Sequence, residues 1–240
     1  ILDAWLAYAL VYQGSESAVA DAEQSLRQTI ARLEAWEQAR QPDDLPHTDV
    51  TDWLSKAMRA FALRVLGYLE WGRGRMGAAI DLSSQAAHLW RELNLAVERA
   101  TTLNDMGFAM SEEGLYADAR ALVEDALDIR CGLGPRSPVA LSLNTLALIE
   151  IHEGNYHKAS DLANRALAIF RALSDERGTG LALIALSEAT RRTIDDLPES
   201  QHEARVALLR KAQHNERKGE VIGQSVVEKI RQAVARLEGG

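Results

Sequence analysis

What this 240-residue chain lacks closes several explanations early. It has one cysteine, Cys131, so no intrachain disulfide can form. That scarcity fits a reducing compartment, and the expected location is cytoplasmic. No run of about 18 apolar residues occurs, so no membrane-spanning helix and no membrane role are expected. Basic residues are outnumbered, 27 Lys and Arg against 35 Asp and Glu, for a net charge of −8. A long nucleic-acid surface needs clustered Lys and Arg to neutralise phosphates, so no nucleic-acid partner is expected. Neither a GxSxG nor a GxxxxGK[ST] arrangement is found, and HExxH is absent too. The histidines do not sit at zinc spacing, and His152 and His157 lie five apart across a turn. No metal site, no cofactor and no catalytic residue are therefore expected.

Against these absences stand 47% hydrophobic residues, ample for a core. One stretch points towards chemistry: "WGRGRMGAA" (71–79) contains Gly72-x-Gly74-x-x-Gly77, the spacing of a dinucleotide-binding turn. A shift of the chain by 40 residues explains it otherwise. Gly74, Gly114 and Gly154 then coincide, as do Ala79, Ala119 and Ala159, and Ala86, Ala126 and Ala166. Upstream, Leu63, Leu103, Leu143 and Leu183 share one register, and Leu66, Met106, Leu146 and Leu186 another. Gly72 and Gly77 do not recur; their registers hold Glu112 and His152, and Ala117 and His157. A dinucleotide site also needs a strand before the glycines, and here the pattern before them is helical. The stretch reads as an inter-helix turn.

The offsets set the unit. Leu143, Leu146 and Ala147 are spaced i, i+3, i+4, which makes one face of a helix A. Ala159, Leu162, Ala166 and Ile169 do the same for a helix B. Glycine between them supplies left-handed backbone angles. Small residues at Gly67, Gly107, Ala147 and Ser187, and at the alanine registers, let helices approach closely. Each pair exposes apolar surface that only a neighbouring pair can cover, so the units must stack. The fold class is all-α, antiparallel helix pairs with no strand, about ten or eleven helices in all.

These residues resemble the tetratricopeptide repeat. "LNTLALIEIHEGNYHKASDLANRALAIF" (143–170) is the best copy, followed by "LNDMGFAMSEEGLYADARALVEDALDI" (103–129) and "LRVLGYLEWGRGRMGAAIDLSSQAAHL" (63–89). The common repeat of that family has 34 residues. The 40-residue period resembles the longer repeats of kinesin light chains and of the sensor regions of bacterial STAND signalling ATPases. The resemblance implies a right-handed superhelical solenoid over 57–192, in units 57–96, 97–136 and 137–176 plus helix A of the next. Outside it, 1–38 reads as a partial or atypical helix pair and 39–56 as a loop with two prolines. Residues 193–240 read as divergent helices, one opened by Pro198 and the last (221–237) a cap. Because the sequence opens inside an amphipathic helix, it is expected to be part of a longer chain.

A second stripe on helix A reads Arg64, Tyr68, Trp71; Asn104, Phe108, Ser111; Asn144, Leu148, Ile151; and Ile184, Glu188, Arg191. The resemblance implies that this stripe lines a concave groove for a protein or peptide. Asn104 and Asn144 could pair with a peptide backbone, or simply bond a neighbouring helix. Tyr68, Trp71 and Phe108 would supply apolar anchors, and Arg191 a charged end. The expected function is non-catalytic protein or peptide recognition, as the sensor or regulatory region of a STAND-type ATPase or transcription regulator. A partner could equally be another domain of the same chain. A free-standing adaptor is the alternative, and a nucleotide-binding or enzymatic domain a further one.

Overall fold

The computed structural model describes residues 16–39, 49–134, 136–195, 206–215 and 217–222, and every regular element among them is an α-helix. In chain order these are α1 (Glu16–Ala39), α2 (Asp49–Gly72), α3 (Met76–Glu92) and α4 (Ala96–Glu112). Then come α5 (Tyr116–Cys131), α6 (Ser137–Glu153), α7 (Tyr156–Ala172) and α8 (Glu176–Asp195). Two shorter helical stretches follow at 206–215 and 217–222. The chain forms two compact units, Ile1–Ala109 and Met110–Gly240.

Two expected boundaries move. Residues 49–56, read as loop, already belong to α2, and helix A of the fourth repeat runs to Asp195. Apolar spacing accounts for the first shift: Leu54, Ala57 and Met58 continue the α2 pattern ahead of the repeat's first aligned leucine. The first half of the N-terminal pair, Pro198 and nearly all of the capping helix lie outside the described residues.

In the first unit α2 packs between α1 and α3. Ala22 and Leu26 of α1 meet Ala62, Val65, Leu66 and Leu69 of α2. On the other side Leu63 joins Ala86, Leu89 and Trp90 of α3. The small-residue register has a measurable reason. A Cβ at Gly67 would stand 2.8 Å from Ser83 Oγ and 3.2 Å from the Ala79 carbonyl oxygen. The α2 and α3 backbones therefore touch there.

The second unit repeats the scheme with α5 on α6, α6 on α7 and α7 on α8, while α8 also reaches α6. One core runs through it, from Val123 through Leu143, Leu146 and Ala147 to Leu162, Phe170 and Leu183. Each of its Val, Leu and Phe side chains removed from water contributes about 1.5–3 kcal/mol before entropy is counted. Phe170 is wholly buried and fills the space over Gly178. The 206–222 stretches lie against α8: Ser187 Oγ donates to the Ala212 carbonyl at 2.9 Å, and Gly180 and Gly219 face each other backbone to backbone.

Two turn registers punctuate the chain. Between A and B helices, Gly74, Gly114 and Gly154 have φ of +72°, +79° and +92°. Between B and A helices the same left-handed geometry falls on Asn94, Gly134 and Ser174, at +55°, +92° and +54°. In the Gly154 and Ser174 turns the next amide reaches back five residues: Asn155 N–H to Glu150 O at 2.8 Å, and Asp175 N–H to Phe170 O at 2.9 Å. These bonds satisfy helix-end carbonyls that would otherwise lose their partners. At the α8 start, Asp175 adds a side-chain cap, its Oδ1 accepting the Gly178 N–H at 2.8 Å.

Candidate functional site

The stripe residues of the first unit are drawn into contacts of their own. Tyr68 and Trp71 meet at 5.2 Å between ring centroids with their planes tilted by 45°, and Trp71 meets Phe108 edge-on at 5.5 Å. Tyr68 is exposed, while Trp71 and Phe108 are half-buried. Arg64 donates to Asp105 Oδ2 at 3.2 Å and lies 5.6 Å from the Phe61 ring centre. Asn104 is buried, at 9% exposed. Beside this row opens an apolar cleft of about 480 Å³ between the α2 start, the α3 end and the α4 start. Trp53, Met58, Phe61, Trp90 and Val97 line it, with Arg64 at its edge. The repeat register did not point to these aromatics, because none of them recurs at 40 residues.

The arginines of the glycine stretch are engaged by carboxylates. Glu70 is buried, and Arg27, Arg73 and Arg75 all converge on it, with Arg75 Nη2 donating at 2.9 Å. Arg73 also pairs with Glu23, and that bond pulls the Glu23 carboxyl down to about 2. Gly72 and Gly77 are both helical, so neither opens a phosphate loop. A phosphate here would have to displace these carboxylates from their own guanidinium partners.

In the second unit four stripe residues line one cavity of about 500 Å³. Leu148 and Ile151 of α6 form its apolar side, Ser111 comes from the α4 end, and Glu188 from α8. Glu112, His152 and Arg192 share the lining, together with Tyr116 and Tyr156, the first residues of α5 and α7. The tyrosines sit just past the glycine turns at Gly114 and Gly154, so each of these two described A-to-B turns places one ring at the same cavity. Ser111 is 1% exposed, and its hydroxyl lies 3.2 Å from His152 Nδ1. Glu188 Oε1 accepts from Arg192 Nε at 2.8 Å. Arg191 is exposed and does not line the cavity; Arg192, one position on, does.

Asn144 is 6% exposed, outside the cavity lining, and its side-chain oxygen is buried with no donor. Close by in sequence lies the counterpart of Glu70. Glu150 is 1% exposed and receives Arg120 Nε at 2.9 Å, Lys158 Nζ at 2.8 Å and Asn155 Nδ2 at 2.8 Å. Burial pushes its carboxyl up, but the bonds from Lys158, Arg120 and Asn155 outweigh burial and hold it below the ordinary value of 4.5. This buried acid ties α5, α6 and α7 together at the turn. Among the described residues no group of three His, Cys, Asp or Glu is placed to hold a metal ion. Nor is any described helix long and apolar enough to cross a membrane.

The architecture has counterparts among solved structures. BtubC (BKLC) from P. vanneervenii is similar at 19% identity and TM-score 0.56, with 90% of this chain and 74% of that one covered. A Podosopora anserina kinesin light chain protein of nearly identical TPR-like repeats is similar at 18% identity and TM-score 0.54, covering 88% and 92%. A point variant of that protein gives 18% and 0.55, over 89% and 93%. No family model matches the sequence, and no curated protein matches it. At these identities the likeness carries the fold: tetratricopeptide-like helix pairs.

Proposed function

We propose that this chain of tetratricopeptide-like repeats is a non-catalytic recognition module for a protein or peptide. The observation that carries this reading is the cavity of the second unit. Residues that the 40-residue register puts on one helix stripe, Ser111, Leu148, Ile151 and Glu188, line a single recess with two tyrosines. Apolar walls, aromatic rings and a few polar groups are the usual make-up of an anchoring pocket. The wider setting of the proposal is the sensor or regulatory region of a STAND-type ATPase or transcription regulator. There, a trigger bound by the repeats would shift the whole protein towards an active state. That setting draws on the long repeat period, by analogy of fold.

One observation favours the alternative, an adaptor joining two proteins. The first unit has a cleft of its own, apolar where the second unit's cavity is mixed. Two sites of different character suit two partners. The full-length gene product separates the readings, since a P-loop domain on the same chain supports the sensor. The recognition reading itself is tested by the dissociation constant of the natural partner for Tyr156→Ala. A rise of about tenfold or more, on the order of 1.4 kcal/mol, is expected with unchanged helical circular dichroism. Unchanged affinity would remove the cavity from the account.

A further inference from the structure

A tryptophan N–H without an acceptor marks the first-unit cleft. Trp90, near the end of α3, is 4% exposed and packs with Leu63, Ala86 and Leu89 in the core. Its Nε1 is buried and has no hydrogen-bond partner. A buried tryptophan N–H ordinarily finds one, because leaving the donor unpaired forfeits its bond to water. The same residue forms part of the cleft wall, which it shares with Trp53, Met58, Phe61 and Val97. A water set against the indole needs two to four polar partners, and this wall is apolar. The group that suits the donor is therefore an acceptor carried in on an apolar body.

Size and polarity narrow that body. The cleft's volume of about 480 Å³ lies within the roughly 300–1,000 Å³ of small-molecule sites. A peptide main chain brings an N–H and a C=O with nearly every residue, and each needs a partner once out of water. The polar side chains of the lining are Arg64, Glu98 and Thr101. Arg64 is bonded to Asp105, and the Thr101 hydroxyl donates to the Val97 carbonyl at 3.0 Å. Glu98 is exposed, at the third position of α4. With one basic and one acidic side chain, the lining favours neither an anion nor a cation. We infer that the first-unit cleft binds a small, uncharged, mostly apolar molecule, whose carbonyl or similar oxygen accepts the Trp90 Nε1 hydrogen. This goes beyond the recognition reading, which rests on the second-unit cavity.

The test uses the whole chain and Nile red, an uncharged dye whose emission rises in apolar surroundings. The dye should bind saturably, and Val97→Arg should remove that binding by filling the cleft. Val97 is 47% exposed, so this change spares the fold. Two competitors of one shape, fluorenone and fluorene, then differ in a single ketone. Trp90→Phe keeps a ring in the wall and removes the N–H. The ratio of the two competitors' dissociation constants should shift about tenfold against fluorenone in Trp90→Phe relative to the native chain. Tyr156→Ala, in the other cavity, should leave dye binding unchanged. An unshifted ratio, no dye binding that Val97→Arg removes, or dye binding lost on Tyr156→Ala overturns the inference. None of these results touches the partner affinity on which the recognition reading is judged.

Discussion

Gly178→Ala is a small substitution with a large expected consequence. Gly178 is the third residue of α8, where alanine is favoured over glycine by up to about 1 kcal/mol. Propensity alone therefore predicts stabilisation. The added Cβ would lie 2.1, 2.2 and 2.5 Å from Cδ1, Cε1 and Cγ of Phe170. Carbon atoms rest about 3.5–4.0 Å apart, so the ring or α8 must move by more than 1 Å. Phe170 is wholly buried in the second-unit core and has no open side to move into. Overpacking of this kind costs about 1–3 kcal/mol, occasionally more. The net expectation is a loss of about 1–2 kcal/mol, or a fall of about 2–8 °C in melting temperature for a chain of this size. Thermal melts by circular dichroism read it directly. Phe170→Leu should absorb the clash, so the double variant should be less destabilised than the two single losses summed. A Gly178→Ala melting temperature equal to or above that of the native chain would refute the packing argument.

Other consequences are nearer the surface. Ser174 holds a left-handed φ of +54° without being glycine, so Ser174→Gly should stabilise the fold by about 0.5–1 kcal/mol of relieved strain, read as a higher melting temperature. Gly154→Val forces a β-branched residue to φ +92° and should cost at least about 1–2 kcal/mol, seen as faster amide exchange in the α6–α7 turn. Glu23 is held at about 2, below its ordinary 4.5, so its folded form binds fewer protons than the unfolded one. Its contribution is therefore present above pH 4.5 and lost as pH falls towards 2; Glu150 is lowered in the same direction and also loses its contribution as pH falls below 4.5. Urea midpoints should drop across that window, and the drop should be smaller in Glu23→Gln and in Glu150→Gln.

The fold was legible because the 40-residue register is carried by residues whose roles are geometric. Glycine at 74, 114 and 154 takes angles few other residues tolerate, and Gly67 sits where a side chain would strike Ser83. The second turn register was hidden, since Asn94, Gly134 and Ser174 share a backbone angle and no chemistry. The buried acids were hidden for a related reason. Glu70 and Glu150 occupy equivalent places two repeats apart, but Met110 stands between them and breaks the pattern. Their partners come from different helices, which spacing along one helix cannot reveal. Of the candidate site, Ser111, Leu148, Ile151 and Glu188 were reachable by counting along helix A. Tyr116 and Tyr156 were not, because they belong to the next helix and reach the cavity only through the turn. Asn104 and Asn144 were read as groove residues by their position on the helix face, and they are 9% and 6% exposed.

The central claim is that ligands enter the second unit at the cavity rather than elsewhere on its surface. A photo-crosslinking residue placed at Tyr156, on the cavity, and separately at Arg165, exposed on α7 and outside the lining, tests it in an extract of the source cells. The expected result is a discrete crosslinked partner from position 156 and none from position 165. Equal crosslinking from both positions, or a partner caught only from 165, would contradict it.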